Sequence, residues 1–418
     1  MLLRSVTGRS IFYRFLGDTL GKLVSFLVVV TIAREMGAAA TGIYALANVL
    51  AEYVSVIPDL GMNLFVTREI AAGKVIAERL VGALLLVKIV ASAGLLVVAA
   101  IVIPFFFYNP QEAYTALIMT GANLCFGVIE FFGAVLRGCK AINAETTLLL
   151  FFRIARAVAG VSVILLYRNL ILLALAVAGV TLIAALAVAA YVARRYVAPR
   201  LQISWSEMRG WMGQYLPIGG GLVGTLLYFR SDLFIIRIFR TPYEVGFYDA
   251  AYRTFDGVQT IPAVILAVLY PKFAAGETRY FWRALRAVEI FAVVLMVAAI
   301  TAGPAFIRFA YGRGFLPSAP ILKILFLALP MMFANAVLTN YLVATRRQWG
   351  YTLATTAALF FSVSANFWAV PKFGIEAAAV VTLVTQSLIL LVCLVCFQGM
   401  PPGKSRQPAL WKNQNRRP

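Results

Sequence analysis

Long apolar runs separated by short polar connections dominate this chain. Runs such as Ile101 to Tyr108 show no alternation, which argues against a membrane β-barrel, whose strands alternate apolar and polar residues. A helix needs roughly 20 apolar residues to cross a bilayer. Twelve segments suit that length: 11–33, 43–66, 80–107, 114–136, 147–167, 170–193, 213–238, 250–270, 285–310, 320–343, 351–370 and 375–397. The pattern therefore predicts an all-α polytopic membrane protein with about twelve transmembrane helices. The stretch from Met1 to Arg14 is basic and runs into the first segment without a small-residue cleavage site, so it does not read as a signal peptide.

Composition agrees. Hydrophobic residues make up 62% of the 418 positions and charged residues 13%, against roughly half and a quarter in soluble domains. A soluble enzyme, a disordered chain and a disulfide scaffold are excluded. The net charge of +20 would suggest nucleic acid in a soluble protein; here the membrane supplies another cause. With the N-terminus inside, the inner segments carry 24 basic residues and the outer loops 8. That bias predicts both termini in the cytoplasm and removes the motive for a nucleic-acid partner. Histidine is absent, which excludes His-ligated metals and His-based triads. Cys393 and Cys396 lie within an apolar run and read as buried, inert thiols.

A shift of 204 residues superposes parts of the chain on itself. Gly42 falls on Gly246, Tyr44 on Tyr248, Ala47 on Ala251, Ile57 on Ile261 and Pro58 on Pro262, with Glu52 on Asp256. The shift carries the second span onto the eighth, an even step, so the halves would share orientation. The expectation is two six-helix lobes, residues 1–205 and 206–400, followed by a basic cytoplasmic tail, 401–418.

Charges inside spans are costly, at roughly 2.5–3.5 kcal/mol each near the bilayer centre. They should meet partners or water. Arg14, Asp18 and Lys22 share a helical face, as do Asn48, Glu52, Ser55 and Asp59; Asn123, Glu130 and Arg137; Arg153 and Arg156; and Asp249, Arg253 and Asp256. Each stripe has two readings, ion pairs that register helices or groups lining a cavity. Arg153 and Arg156 favour a cavity, being like charges with no acid nearer in sequence than Glu145. Arg230 and Asp232 are two residues apart and should not pair with each other. Gly219, Gly220 and Gly221 suggest close packing or a bend.

Several segments resemble a known family. The run from Arg34 to Ala47, REMGAAATGIYALA, is similar to the first-loop signature of polysaccharide-transport flippases. Asp59 to Asn63 with Arg68 and Glu69, Tyr228 to Asp232, Val245 to Tyr252, Tyr311 to Phe315 and Pro371 to Ala379 resemble later segments of that family, in order. The family lies in the multidrug/oligosaccharidyl-lipid/polysaccharide exporter superfamily. The resemblance implies a flippase, not an enzyme, with its two six-helix lobes set around a central cavity. Its substrate would be a polyprenyl-diphosphate-linked oligosaccharide, moved to the outer leaflet of the cytoplasmic membrane by alternating access for surface polysaccharide synthesis. The peptidoglycan-precursor flippase is a relative with two further helices, which this chain lacks. Implied partners are the lipid-linked glycan and membrane lipids, with a polysaccharide polymerase and glycosyltransferases nearby. On this reading Arg153, Arg156 and Arg230, with Arg14 and Lys22 lower in the cavity, hold the diphosphate. Glu52 and Asp256, joined by Asp59, Glu130 and Asp232, are candidates for proton or Na⁺ coupling, with no other cofactor. A multidrug-type cation antiporter of the same superfamily, which would favour an acidic cavity, and a non-transporting scaffold of an assembly complex are the alternatives.

Overall fold

The computed structural model describes residues 6–398, apart from 74–76, 108, 201–203, 229, 346–347 and scattered positions between 260 and 276. The basic tail, 401–418, lies outside the described residues, as do the side chains before Gly17, including that of Arg14. Fourteen α-helices make up the described chain, which contains no strand. They are α1 (Val6–Val56), α2 (Met62–Ala72), α3 (Ala77–Phe106), α4 (Pro110–Gly138), α5 (Ile142–Tyr167), α6 (Leu170–Arg195), α7 (Trp205–Tyr228), α8 (Ser231–Phe239), α9 (Pro242–Val258), α10 (Thr278–Ala310), α11 (Ser318–Leu327), α12 (Leu329–Ala344), α13 (Gln348–Phe373) and α14 (Ile375–Gln398). Among the described residues eight helices are long and apolar enough to cross a membrane, nine if the bent pair α11–α12 is one span.

The difference from twelve uninterrupted spans has local causes. The first two predicted spans lie in α1, which turns at Gly37. Gly37 has φ 80° and ψ −172°, a region essentially restricted to glycine. Before the turn, α1 passes Thr146, Arg153 and Gly160 of α5 in sequence; after it, Ala38 and Gly42 meet α9. Glu52 on the second arm is back within the field of Arg156, so the arms run side by side. The second predicted span also ends early. Its helix stops at Val56, residues 57–61 form a turn, and Leu60 and Gly61 have φ of 34° and 86°. Asp59 therefore leaves the stripe of Asn48, Glu52 and Ser55. The seventh span is broken into α7 and α8 at Arg230, whose φ is 66°. The tenth bends by 41° between α11 and α12.

Helices α1–α6 pack on one another, chiefly around α4, and α8–α14 form a second set. The halves join where α1 meets α9 and where α2 meets α7. The first joint is reciprocal. A methyl group at Gly42 would overlap the carbonyl oxygen of Pro242, and one at Gly246 would overlap that of Ala38. Pro242 and Gly246 are Ala38 and Gly42 advanced by 204, so each half offers the same surface to the other, as across a two-fold axis. Small residues four apart allow this backbone approach. The turn obeys the shift too, because Gly37 corresponds to Thr241, the N-cap of α9. The second joint is not reciprocal. There Gly219 lies against the backbone of Leu60 and Arg68 donates to Gln214 at 3.1 Å, while Tyr53 of α1 packs on Phe234 of α8 at 5.2 Å between ring centroids. Close packing at Gly219 is thus the part of the triple-glycine reading that the described residues carry.

Candidate functional site

A cavity of about 710 Å³ lies between the halves, with two unlike walls. One carries Lys22 of α1, Arg153 of α5, Arg230 at the start of α8, and Arg253 and Asp256 of α9. The other is apolar, with Leu295, Ala298, Ala302 and Phe306 of α10 and Leu322 and Phe326 of α11. Four cations face one acid, so the polar wall is cationic.

Asp249 holds two of those cations in place. It is fully buried and accepts from Arg230 through Oδ1 and from Arg253 through Oδ2, the latter at 2.6 Å. Arg230 also lies over the ring of Tyr252, 5.0 Å from its centroid. These contacts fix a non-glycine residue in the left-handed region, which costs about 1–3 kcal/mol. A carboxylate shared by two guanidinium forks leaves donors free for a second anion. Planar forks of this kind suit phosphate oxygens, which they bind in pairs.

The predicted substrate residues separate accordingly. Lys22, Arg153 and Arg230 come together on the cavity wall. Arg156 is one turn further along α5, half-buried, and acts on Glu52. Arg14 falls among the undescribed side chains. Arg230 and Asp232 do not pair with each other, as their spacing implies.

The predicted acids do not form one site. Glu52 is enclosed by the bundle yet has an exposed side chain, the mark of a group lining an internal void, and Arg230, Arg253, Arg156 and Asp256 act on it. Glu130 is similarly placed among Lys88, Asp59, Arg137 and Arg153. Asp59 is ion-paired with Lys88 at 3.0 Å; Lys88 is 1% exposed. Removing either partner would leave a buried charge alone, so this pair has a structural task. Arg137 pairs with Glu145 rather than with Glu130 of its own stripe.

Asp232 lines a separate cavity of about 230 Å³ inside the second half. The Tyr248 hydroxyl and the Leu233 N–H donate to its carboxylate. Around it are Asn335, Thr339, Ser362, Thr382, Thr385 and Gln386, and Arg230 forms part of the wall. Asn335 donates its amide to Gln386 at 2.9 Å, and Asn366, one turn beyond the lining residue Ser362, donates its amide to Ser362 at 2.9 Å. Both asparagine carbonyl oxygens remain buried without a donor. Oxygen acceptors gathered round a carboxylate suit a hard cation. Among the described residues no cluster of three or more His, Cys, Asp or Glu side chains could hold a metal.

Sequence reasoning left Arg253 open between an ion pair and a cavity lining, both of which the structure gives it, and it missed Lys88 as the partner of Asp59 and this polar cavity. A signal existed for the last, since Asn335 and Thr339, and Ser362 and Asn366, are polar pairs four residues apart in apolar spans. The four cysteines are free, with Cys393 buried.

A family model described as "Polysaccharide biosynthesis protein" matches residues 7–277. No curated protein matches the chain. Among solved structures, the lipid II flippase MurJ in an inward closed conformation aligns with TM-score 0.78 and 13% identity, over 94% of this chain and 88% of that one. An inward-facing multidrug resistance MATE transporter of the MOP superfamily gives 0.72 and 12%, over 90% and 93%. A MOP superfamily transporter from Pyrococcus furiosus gives 0.65 and 12%, over 95% and 96%. At such identities these similarities establish the fold.

Proposed function

The chain belongs to the polysaccharide biosynthesis protein family, and from that premise we propose that it is a flippase for a polyprenyl-diphosphate-linked oligosaccharide in the cytoplasmic membrane. The observation that carries this reading is the division of the large cavity into a cationic and an apolar wall. A diphosphate-sugar cannot cross roughly 30 Å of hydrocarbon unaided. Lys22, Arg153, Arg230 and Arg253 would replace its water, with Arg156 and Arg14 extending the cationic surface. The apolar wall would take the start of the polyprenyl chain. The sharing of Asp249 by two arginines keeps the grip moderate, which release requires.

Both termini would be cytoplasmic, following the 24 to 8 distribution of basic residues. The joint at Gly42 and Gly246 would then close the outer end, and its parting would open the cavity outward. The halves 1–205 and 206–400 would act as the two moving lobes. Asp232 and the acceptors beside it would hold a proton or Na⁺, and Arg230, in the walls of both cavities, would sense either occupant. Asp256 in the large cavity, and Glu52 beside it, would contribute. A polymerase and glycosyltransferases would be the neighbouring enzymes. The rival multidrug reading draws on the MATE fold alone; four cations set against Asp256 and the buried Asp249 leave a net positive wall, which does not suit a cationic drug.

Proteoliposomes carrying a fluorescent polyprenyl-diphosphate glycan and an impermeant quencher test the proposal. Wild-type protein should expose the lipid, Arg153→Lys should keep part of the rate, and Arg153→Ala should nearly abolish it while remaining folded. Ethidium transport without glycan movement would favour the rival. Full activity in Arg153→Ala/Arg156→Ala would remove the cationic wall from the mechanism.

A further inference from the structure

One face of α10 changes character along its length. Its first turns bear Arg279, Arg283 and Arg286, all exposed. Beyond them come Ile290, Val294 and Val297, which are 65%, 59% and 49% exposed. Positions 283, 286, 290, 294 and 297 recur at intervals of three and four, so they form a single stripe. At its foot, cations converge on one phenol ring. Lys272 Nζ is 3.8 Å from the centroid of Tyr280, and the guanidinium carbons of Arg279 and Arg283 are at 4.9 and 5.8 Å. Among the described residues the one acid paired with this group is Glu277, 3.2 Å from Arg279. Like charges so gathered repel, and an anion among them would relieve the repulsion.

We propose that this face binds an anionic phospholipid, with its phosphate between Lys272, Arg279 and Arg283 and an acyl chain along Ile290, Val294 and Val297. The apolar continuation distinguishes a lipid from a soluble anion, which gains nothing from exposed aliphatic side chains. Its length fits, since Arg283 to Val297 rises roughly 21 Å at 1.5 Å per residue, and one leaflet holds about 15 Å of hydrocarbon. Tyr280 and Trp282, the latter 52% exposed, place amphipathic rings at headgroup depth. The lipid touches none of the residues assigned to the large cavity, so this site stands or falls apart from the flippase reading.

Full-length protein stripped of lipid in neutral detergent would be titrated with phosphatidylglycerol, phosphatidylcholine of the same acyl chains, or glycerol phosphate, and bound molecules counted by native mass spectrometry. Phosphatidylglycerol should bind about tenfold more tightly than phosphatidylcholine, as expected for two or more basic contacts. Arg279→Gln/Arg283→Gln should lose that preference, and Arg194→Gln/Arg195→Gln at the end of α6 should keep it. Lys272→Gln/Arg283→Gln serves as a second probe should the first variant not fold. Equal binding of the two lipids by the wild type, or an unchanged preference in the α10 variants, would overturn the proposal. Glycerol phosphate binding as tightly as phosphatidylglycerol would also overturn it, in favour of a simple anion site.

Discussion

The second arm of α1, residues 38–56, and α9 (Pro242–Val258) are the same helix used twice, and they differ most where the chemistry lies. Gly42 and Gly246 do one job, as do Ala38 and Pro242, each pair closing on the other. Tyr44 and Tyr248 are both buried. Asp249, however, corresponds to Ala45, and Arg253 to Val49. The repeat thus builds the frame and the joint, whereas the charged network of Arg230, Asp249 and Arg253 is a departure from it, confined to one half. Symmetry provides a surface on which two lobes can meet and part. Asymmetry makes one wall of the resulting cavity cationic.

The largest expected effect follows from erasing that departure halfway. Asp249→Ala leaves Arg230 and Arg253 without their shared acid at a fully buried position, which should cost about 3–5 kcal/mol of stability. Thermal unfolding in detergent would register it. Asp249→Ala/Arg253→Val makes α9 match its mate at both positions. This double variant should unfold later than the single one yet transport poorly, since a cavity cation is gone. If the double variant is no more stable than Asp249→Ala, Asp249 is not acting as the shared anchor.

The joint allows a sharper test. Gly42→Ala and Gly246→Ala each drive a methyl group into a backbone carbonyl of the other half. Each should cost about 1–3 kcal/mol, as overpacking does, and the two costs should be nearly equal. The double variant should cost less than their sum, since parting the helices once relieves both clashes. Unequal single effects would show that the joint is not reciprocal in solution. Gly219→Ala, at the non-reciprocal joint, has no partner variant, and its effect should add to either.

Much of this frame was legible in the chain. Apolar runs gave the spans, and the shift of 204 placed Gly42 opposite Gly246, although only the structure shows them touching. The breaks at Asp59 and Arg230 were hidden because hydropathy averages over about twenty residues and does not register one turn of altered backbone. The pairing of Asp59 with Lys88 joins positions 29 residues apart, which no helical periodicity relates. The cavity around Asp232 was hidden for another reason. Its hydroxyls and amides come from α12, α13 and α14, and each alone reads as a polar side chain bonded to its own helix, as Thr339 is to Asn335 and Thr385 to Val381.

The smallest expected effect concerns the one charged position that these two helices share. Glu52 and Asp256 correspond across the shift; Asp256 lines the large cavity, and Glu52 lies within its field and that of Arg230 and Arg253. If retaining an acid at both positions matters more than its length, Glu52→Asp/Asp256→Glu should transport at a rate within about threefold of the wild type, a change of less than 1 kcal/mol in the barrier. Glu52→Gln and Asp256→Asn remove the charge and should each weaken the response of transport to an imposed proton or Na⁺ gradient. Asp256→Asn should have the larger effect, because Asp256 lines the cavity with Arg253 and Arg230, whereas Glu52 has Arg156 as a further cation. Full gradient dependence in both neutral variants would confine coupling to the Asp232 cavity. The two acids would then belong to the frame, balancing the arginines beside them.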